Sequence, residues 1–166
     1  MRATFQCFLL GACLASAVGG PAKAQVAAAA APPGSVEARL QSRDFRYEVD
    51  EDGDFKIVLS WQKEARSQLV YVAGKADQAG DLAIRQVFAP AASLEGAGLS
   101  PEALRALLRD NARRALGHWA INDSHLLYVI NVPDDIDAQG LETAINVAAE
   151  AADGKELELT GDKDAF

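Results

Sequence analysis

From Tyr47 to Trp61 the sequence alternates apolar and polar residues on both sides of one short turn, a pattern that leaves little room for anything but a β-hairpin. Tyr47 and Val49 precede Glu51-Asp52-Gly53, and Phe55, Ile57, Leu59 and Trp61 follow at strict period two. A three-residue loop with Gly53 in the left-handed region predicts a register of Val49 with Phe55, Tyr47 with Ile57, and Glu48 with Lys56. Apolar side chains then meet on one face and opposite charges on the other. A two-residue Asp52-Gly53 turn would set Val49 against Lys56 and is rejected.

The remaining elements follow from the same kind of signal. Ser35 caps a first helix that carries Val36 and Leu40 on one face and ends near Arg43. Leu69 to Ala73 reads as a third strand and Leu82 to Phe88 as a fourth, with Gly74 to Gly80 as the turn between them. A loop containing Pro90, Gly96 and Gly98 leads to a second helix. Ser100 is its N-cap, Pro101 its first residue, Glu102 suits the positive end of the dipole, and Leu99 with Leu104 forms a staple. Its expected buried stripe is Leu104, Leu107, Leu108, Ala112 and Ala115, with Arg113 and Arg114 in the last turn and Gly117 as terminator.

His118 to Ile121 is a short strand, Asn122 to Ser124 a turn, and Leu126 to Val132 a strongly apolar strand of central character, ended by Pro133. Asp137 caps a third helix with Ile136 and Leu141 as staple. Leu141, Ala144, Ile145, Ala148 and Ala152 form its apolar face, and Gly154 is placed to stop it. Residues 161–166 are expected to be a loose tail. The order is α-β-β-β-β-α-β-β-α. Runs of hairpin-linked strands separated from helices indicate an α+β domain, residues 35–160, built on an antiparallel sheet.

The N-terminus has the form of a secretory signal peptide over residues 1–24. Arg2 supplies the positive start, Ala3 to Gly20 is mostly apolar, and Ala22-Lys23-Ala24 is a small-x-small site that predicts cleavage between Ala24 and Gln25. A membrane anchor fits less well, because Gln6, Gly11, Ser16, Gly19, Gly20 and Pro21 interrupt a stretch that would need about 20 strongly apolar residues. Leu10-Gly11-Ala12-Cys13 also has the outline of a lipoprotein box, which would put a lipid on Cys13 and is the one route by which this chain would reach a membrane. Cleavage before Gln25 leaves 142 of the 166 residues and removes Cys7 and Cys13, the only cysteines. The Ala-rich segment 25–34, ending Pro32-Pro33-Gly34, reads as a tether. The expected location is the periplasm or the exterior.

Charge narrows the partners. The chain has 16 Lys+Arg against 24 Asp+Glu. Arg2 and Lys23 fall in the leader, so the remainder carries 14 against 24, or −10. Phosphate backbones need a positive field, which argues against nucleic acid. The acidic balance serves solubility and, as a sharper reading, steers the protein toward basic partners.

Catalytic and metal motifs are missing from the sequence. Asp50-Glu51-Asp52-Gly53-Asp54 suggests a calcium loop, but the sixth and twelfth positions that should be Gly and Glu are Phe55 and Trp61. His118 and His125 sit on either side of one hairpin, roughly 12 Å apart at about 3.3 Å per residue, too far to share a metal. Asp123-Ser124-His125 has the residue types of a triad, but neighbours in a turn do not point at one another. No nucleophile elbow, zinc-protease helix, phosphate-cradling loop or dinucleotide fingerprint occurs. No cofactor or catalytic residue is therefore expected. Trp61 and Trp119 could line a groove, but at strand positions they read as core or core rim.

Several stretches in order carry a family likeness. They are the hairpin Asp50 to Phe55, the helix segment Leu107 to Asn111, Gly117 through Ile121, the strand ending in Val132-Pro133, and the closing helix. On these, residues from Leu40 to about Leu159 resemble the YbjN-like family, whose fold is similar to that of type III secretion chaperones. The resemblance implies a regulatory role in bacterial sensory transduction and a relation to dimeric, peptide-binding proteins, and it supplies no catalytic residues. In two respects the chain departs from the family. Asn111 is followed by Ala112-Arg113-Arg114-Ala115 where the family often has a second Asn. Many members also lack a leader. The expectation is an exported, non-enzymatic protein- or peptide-binding module, with homodimerisation left open. The alternative is a small periplasmic α+β enzyme with acid-base carboxylates in a pocket, which would require a buried carboxylate with a raised pKa.

Overall fold

The computed structural model describes residues 34–61, 65–95, 99–161 and 164–166. The leader, Cys13, the cleavage site at Ala24 and Gln25, and the tether as far as Pro33 lie outside the described residues. Among the described residues ten elements follow in order: α1 (Val36–Ser42), β1 (Tyr47–Val49), β2 (Phe55–Trp61), β3 (Arg66–Val72), β4 (Asp77–Ala79), β5 (Leu82–Ser93), α2 (Pro101–Asn111), β6 (His118–Asn122), β7 (His125–Pro133) and α3 (Ala138–Thr160). The strands form one sheet in the order β1-β2-β3-β5-β7-β6, with β4 paired to the start of β5 and every pairing antiparallel. The α+β class with an antiparallel sheet stands as expected.

The first hairpin has the expected register, Tyr47 opposite Ile57, Glu48 opposite Lys56 and Val49 opposite Phe55. Gly53 has φ +89°, which only glycine adopts freely. The Asp50 N–H donates to Asp54 O, and the Gly53 N–H donates to Asp50 O, closing the three-residue loop.

Alternation then places the core. Ile57, Val70, Val72, Val87, Ala89, Tyr128 and Ile130 point to one face of the sheet and are fully buried there. The long helix α3 lies across β3, β5 and β7 on that face and buries Leu141, Ala144, Ile145, Ala148, Ala149 and Ala152. Its alanines let the helix approach the sheet closely. The shorter α1 packs on α3 and is pinned by Arg39, whose guanidinium donates to the carbonyls of Asp134 (2.7 Å) and Ile136 (2.8 Å) in the turn before α3.

Several boundaries differ from the sequence reading. An additional short strand, β4, forms where a plain turn was expected. Asp77-Gln78-Ala79 is polar and exposed, so it carries no apolar period, and it pairs with Leu82–Ile84 through the two-residue Gly80-Asp81 turn. The strand β3 begins at Arg66 instead of Leu69, because Arg66, Ser67 and Gln68 pair with Trp61, Ser60 and Leu59 despite their polarity.

The strand β5 runs on to Ser93 through Pro90. Its pairing with β3 is confined to Tyr71 and Val72, so the two strands have parted before Pro90, and the ladder to β7 shifts register between Pro90 and Ala92. A proline without an N–H is accommodated at such an irregularity. Gln68, fully buried, bridges the gap by donating its Nε2–H to Pro90 O at 2.7 Å.

The helix α2 ends at Asn111, well before Gly117, and of its expected stripe only Leu107 is buried, while Leu108 is 68% exposed. The helix α3 continues through Gly154 to Thr160 and is capped by Gly161, because the residues after Gly154 are good helix formers and Glu156 is anchored to the sheet. Of the expected loose tail, Asp164 and Ala165 are held: Asp164 accepts hydrogen bonds from the Ser67 N–H and hydroxyl, and the Ala165 N–H donates to Glu156 Oε1 at 2.6 Å.

Candidate functional site

The helix α2 is built to start sharply and to be held at its end. Ser100 Oγ accepts the Ala103 N–H at 3.1 Å, and Pro101 opens the first turn. At the other end Asn111 grips the edge strand β6. Its Oδ1 accepts the Trp119 N–H at 2.6 Å, and its Nδ2–H donates to Trp119 O at 3.1 Å. The preceding residue, Asp110, accepts from the Trp119 indole N–H at 2.8 Å and from both Nε and Nη2 of Arg114. These bonds, Arg114 first and Trp119 second, hold the Asp110 carboxyl below the usual aspartate range.

Aromatic contacts complete the junction. Trp119 meets Tyr128 edge to face at 4.8 Å, and the Arg114 guanidinium lies 5.3 Å from the centre of the Tyr128 ring and 5.8 Å from that of Trp119. The Tyr128 hydroxyl donates to Leu116 O at 2.5 Å, and burial pushes that phenol up from its ordinary value. Gly117 has φ +81°, and a Cβ there would sit 2.6 Å from Tyr128 Cε1.

Fixed at one end and burying only Leu107 along its length, α2 stands apart from the last turns of α3. Between them is an open groove of about 450 Å³, within the range of about 300–1,000 Å³ usual for ligand clefts. Leu99, Ala103, Leu107, Leu126 and Leu159 give it an apolar lining. Arg109, Asp110, Arg113, Lys155 and Glu158 stand at its edges. Lys155 lies 5.8 Å from the Trp119 ring and pairs with Glu158 at 2.5 Å.

A second constellation centres on Glu156. It is fully buried, with Oε2 accepting from Arg66 at 3.1 Å and Oε1 from the Ala165 N–H. Arg66 also donates to Asp153 Oδ1 at 2.7 Å. Burial raises the Glu156 pKa, outweighing the Ala165 bond and the Arg66 charge that lower it. This is the buried, raised-pKa carboxylate that an enzymatic reading requires. Both of its oxygens are engaged by this chain's own groups, however, and its side chain is closed off from solvent.

The other sequence candidates are dispersed. Asp50 Oδ1 accepts the N–H groups of Asp52 and Asp54, and Asp54 Oδ1 accepts that of Gly74, so this acidic string shapes a turn. His118 lies opposite Val129 and His125 opposite Asn122. Ser124 Oγ is 3.5 Å from His125 Nδ1, at the limit of a hydrogen bond and on an exposed turn. Among the described residues no group of three or more His, Cys, Asp or Glu is placed to hold a metal. Trp119 is buried, and Trp61 packs at the rim of the core.

Sequence reasoning missed the groove. The available signal was an excess of leucine on α2: Leu104, Leu107 and Leu108 are more than its packing face can cover, and three arginines at positions 105, 109 and 113 repeat along the same stretch.

Residues 32–155 match the YbjN family, described as "Putative bacterial sensory transduction regulator". No curated protein matches the chain. Among solved structures, one similar to it is the Yersinia pestis type III secretion chaperone SycH in complex with a stable fragment of YscM2, at 19% identity and TM-score 0.45, covering 70% of this chain and 92% of that one.

Proposed function

This chain belongs to the YbjN family, and on that premise we propose that it is an exported, non-enzymatic protein-binding module that takes a peptide segment of its partner into the groove between α2 and α3. The observation that carries this reading is the groove itself. It is an open apolar cleft of about 450 Å³ whose wall, α2, buries only Leu107. Apolar surface left uncovered beside charged rims is characteristic of partner-binding sites. Export rests on the leader of residues 1–24 with cleavage between Ala24 and Gln25.

The enzymatic alternative would have to run through Glu156. Its pairing with Arg66 and the Ala165 N–H supports a structural role, tying α3 to β3 and to the end of the chain.

The test is affinity capture from a periplasmic extract with a crosslinker, using the wild type and Ala103→Trp, which fills the groove from one wall. The reading expects a reproducible protein partner that Ala103→Trp loses while its circular dichroism is unchanged. A partner retained by Ala103→Trp would move the site elsewhere, and self-crosslinks alone would leave only homodimerisation. Mass spectrometry of the mature N-terminus tests export: Gln25 at the start supports the leader, and a lipid on Cys13 would make the protein membrane-anchored.

A further inference from the structure

From the charges around the groove we infer that its occupant is an acidic amphipathic segment, with apolar side chains spaced for one helical face and carboxylates beside them. This rests on the groove being the binding site. The negative charges at its edges are already satisfied. Asp110 is taken up by Arg114 and the Trp119 indole, and Glu158 by Lys155. Of the three positive ones, only Lys155 is satisfied, by Glu158. Arg109 and Arg113 are exposed on and just beyond α2, and neither has an ion-pair partner among the described residues.

The groove's lining, three cations (Arg109, Arg113 and Lys155) against two carboxylates (Asp110 and Glu158), is thus opposite in sign to the whole chain, which carries −8. Charges beyond about 8–10 Å are screened at physiological ionic strength. The net acidity that suggested a basic partner thus gives way, at this site, to two guanidinium groups suited to bidentate pairing with carboxylates. The apolar wall sets the remaining chemistry. Ala103, Ala106 and Leu107 present one face of α2, against which a helix with apolar residues at i, i+3 or i+4, and i+7 can pack.

A displayed library of random 16-residue peptides, panned against the purified chain, tests this without knowledge of the natural partner. The expected winners carry apolar residues at helical spacing and a net negative charge. Their affinity, measured by fluorescence anisotropy, should fall about three- to thirtyfold in Arg109→Glu/Arg113→Glu, as two exposed pairs of up to about 1 kcal/mol each imply. It should fall also with added salt and in Ala103→Trp. Winners that are neutral or basic, that ignore the arginine reversal and yet lose binding in Ala103→Trp, would overturn the acidic occupant and leave the groove standing. Winners indifferent to Ala103→Trp, or no winners at all, would overturn both.

Discussion

The side-chain amide of Asn111 occupies both main-chain groups that Trp119 turns toward the open edge of β6, accepting from the N–H at 2.6 Å and donating to the C=O at 3.1 Å. An amide side chain there does what a neighbouring strand would do, and it joins the end of α2 to the sheet. Asn111→Ala removes both bonds and bares the edge of β6. It should lower stability by about 1–3 kcal/mol, at roughly 0.5–1.5 kcal/mol per bond. Urea denaturation followed by Trp fluorescence measures this, and light scattering should show more self-association through the exposed edge.

Gly117→Ala should be at least as damaging. The position needs φ +81°, and the new methyl would press on Tyr128 and Ile130, at 2.6 and 2.7 Å. Left-handed backbone costs about 1–2 kcal/mol and overpacking about 1–3 kcal/mol, so a loss of about 2–5 kcal/mol is expected in the same denaturation assay.

Gly154→Ala should stabilise. Gly154 lies inside α3, exposed, and a methyl group added there would meet nothing within 4 Å. Replacing an exposed helical glycine by alanine gains about 0.5–1 kcal/mol. A higher urea midpoint with unchanged slope is the expected result.

Two carboxylates titrate in opposite senses. Glu156 has its pKa raised above 4.5 by burial, so the native state binds its proton more tightly than the unfolded chain does. Its contribution is fully present below 4.5 and is lost as pH rises through the folded value. The stability of the wild type relative to Glu156→Gln should therefore improve as pH falls from about 7 toward about 4.5. A difference that stays flat, or that moves against the wild type on acidification, would contradict the assignment.

Asp110 behaves in the reverse way. Its pKa is held below 3.8 by Arg114 and Trp119, so its contribution is present above 3.8 and is lost as pH falls through the folded value. The stability of Asp110→Asn should approach that of the wild type at low pH and fall behind it near neutrality, with the Trp119 emission altered at both.

Much of the sheet was legible in the sequence because its signals are local. The Glu51-Asp52-Gly53 loop, the alternation in β2 and the apolar run of β7 each declare themselves within a few residues. The misread boundaries have non-local causes. Pro90 fits a strand because β3 and β5 have already parted beside it, and Gln68 is buried because Pro90 O receives its amide. The helix α3 passes Gly154 because Arg66, 90 residues before Glu156, holds that carboxylate. The groove was illegible for a related reason. Leu104, Leu107 and Leu108 look like a buried stripe until α2 is seen to end at Asn111, leaving the wall it shares with α3 open.

The central claim is that this groove is where the protein meets its partner. A photoreactive p-benzoylphenylalanine at Ala103, compared with one at the exposed Val58 on the opposite face of the sheet, tests it most directly. The account predicts a discrete crosslinked protein from position 103 in producing cells and none from position 58. The same adduct from position 58, with none from 103, would contradict it.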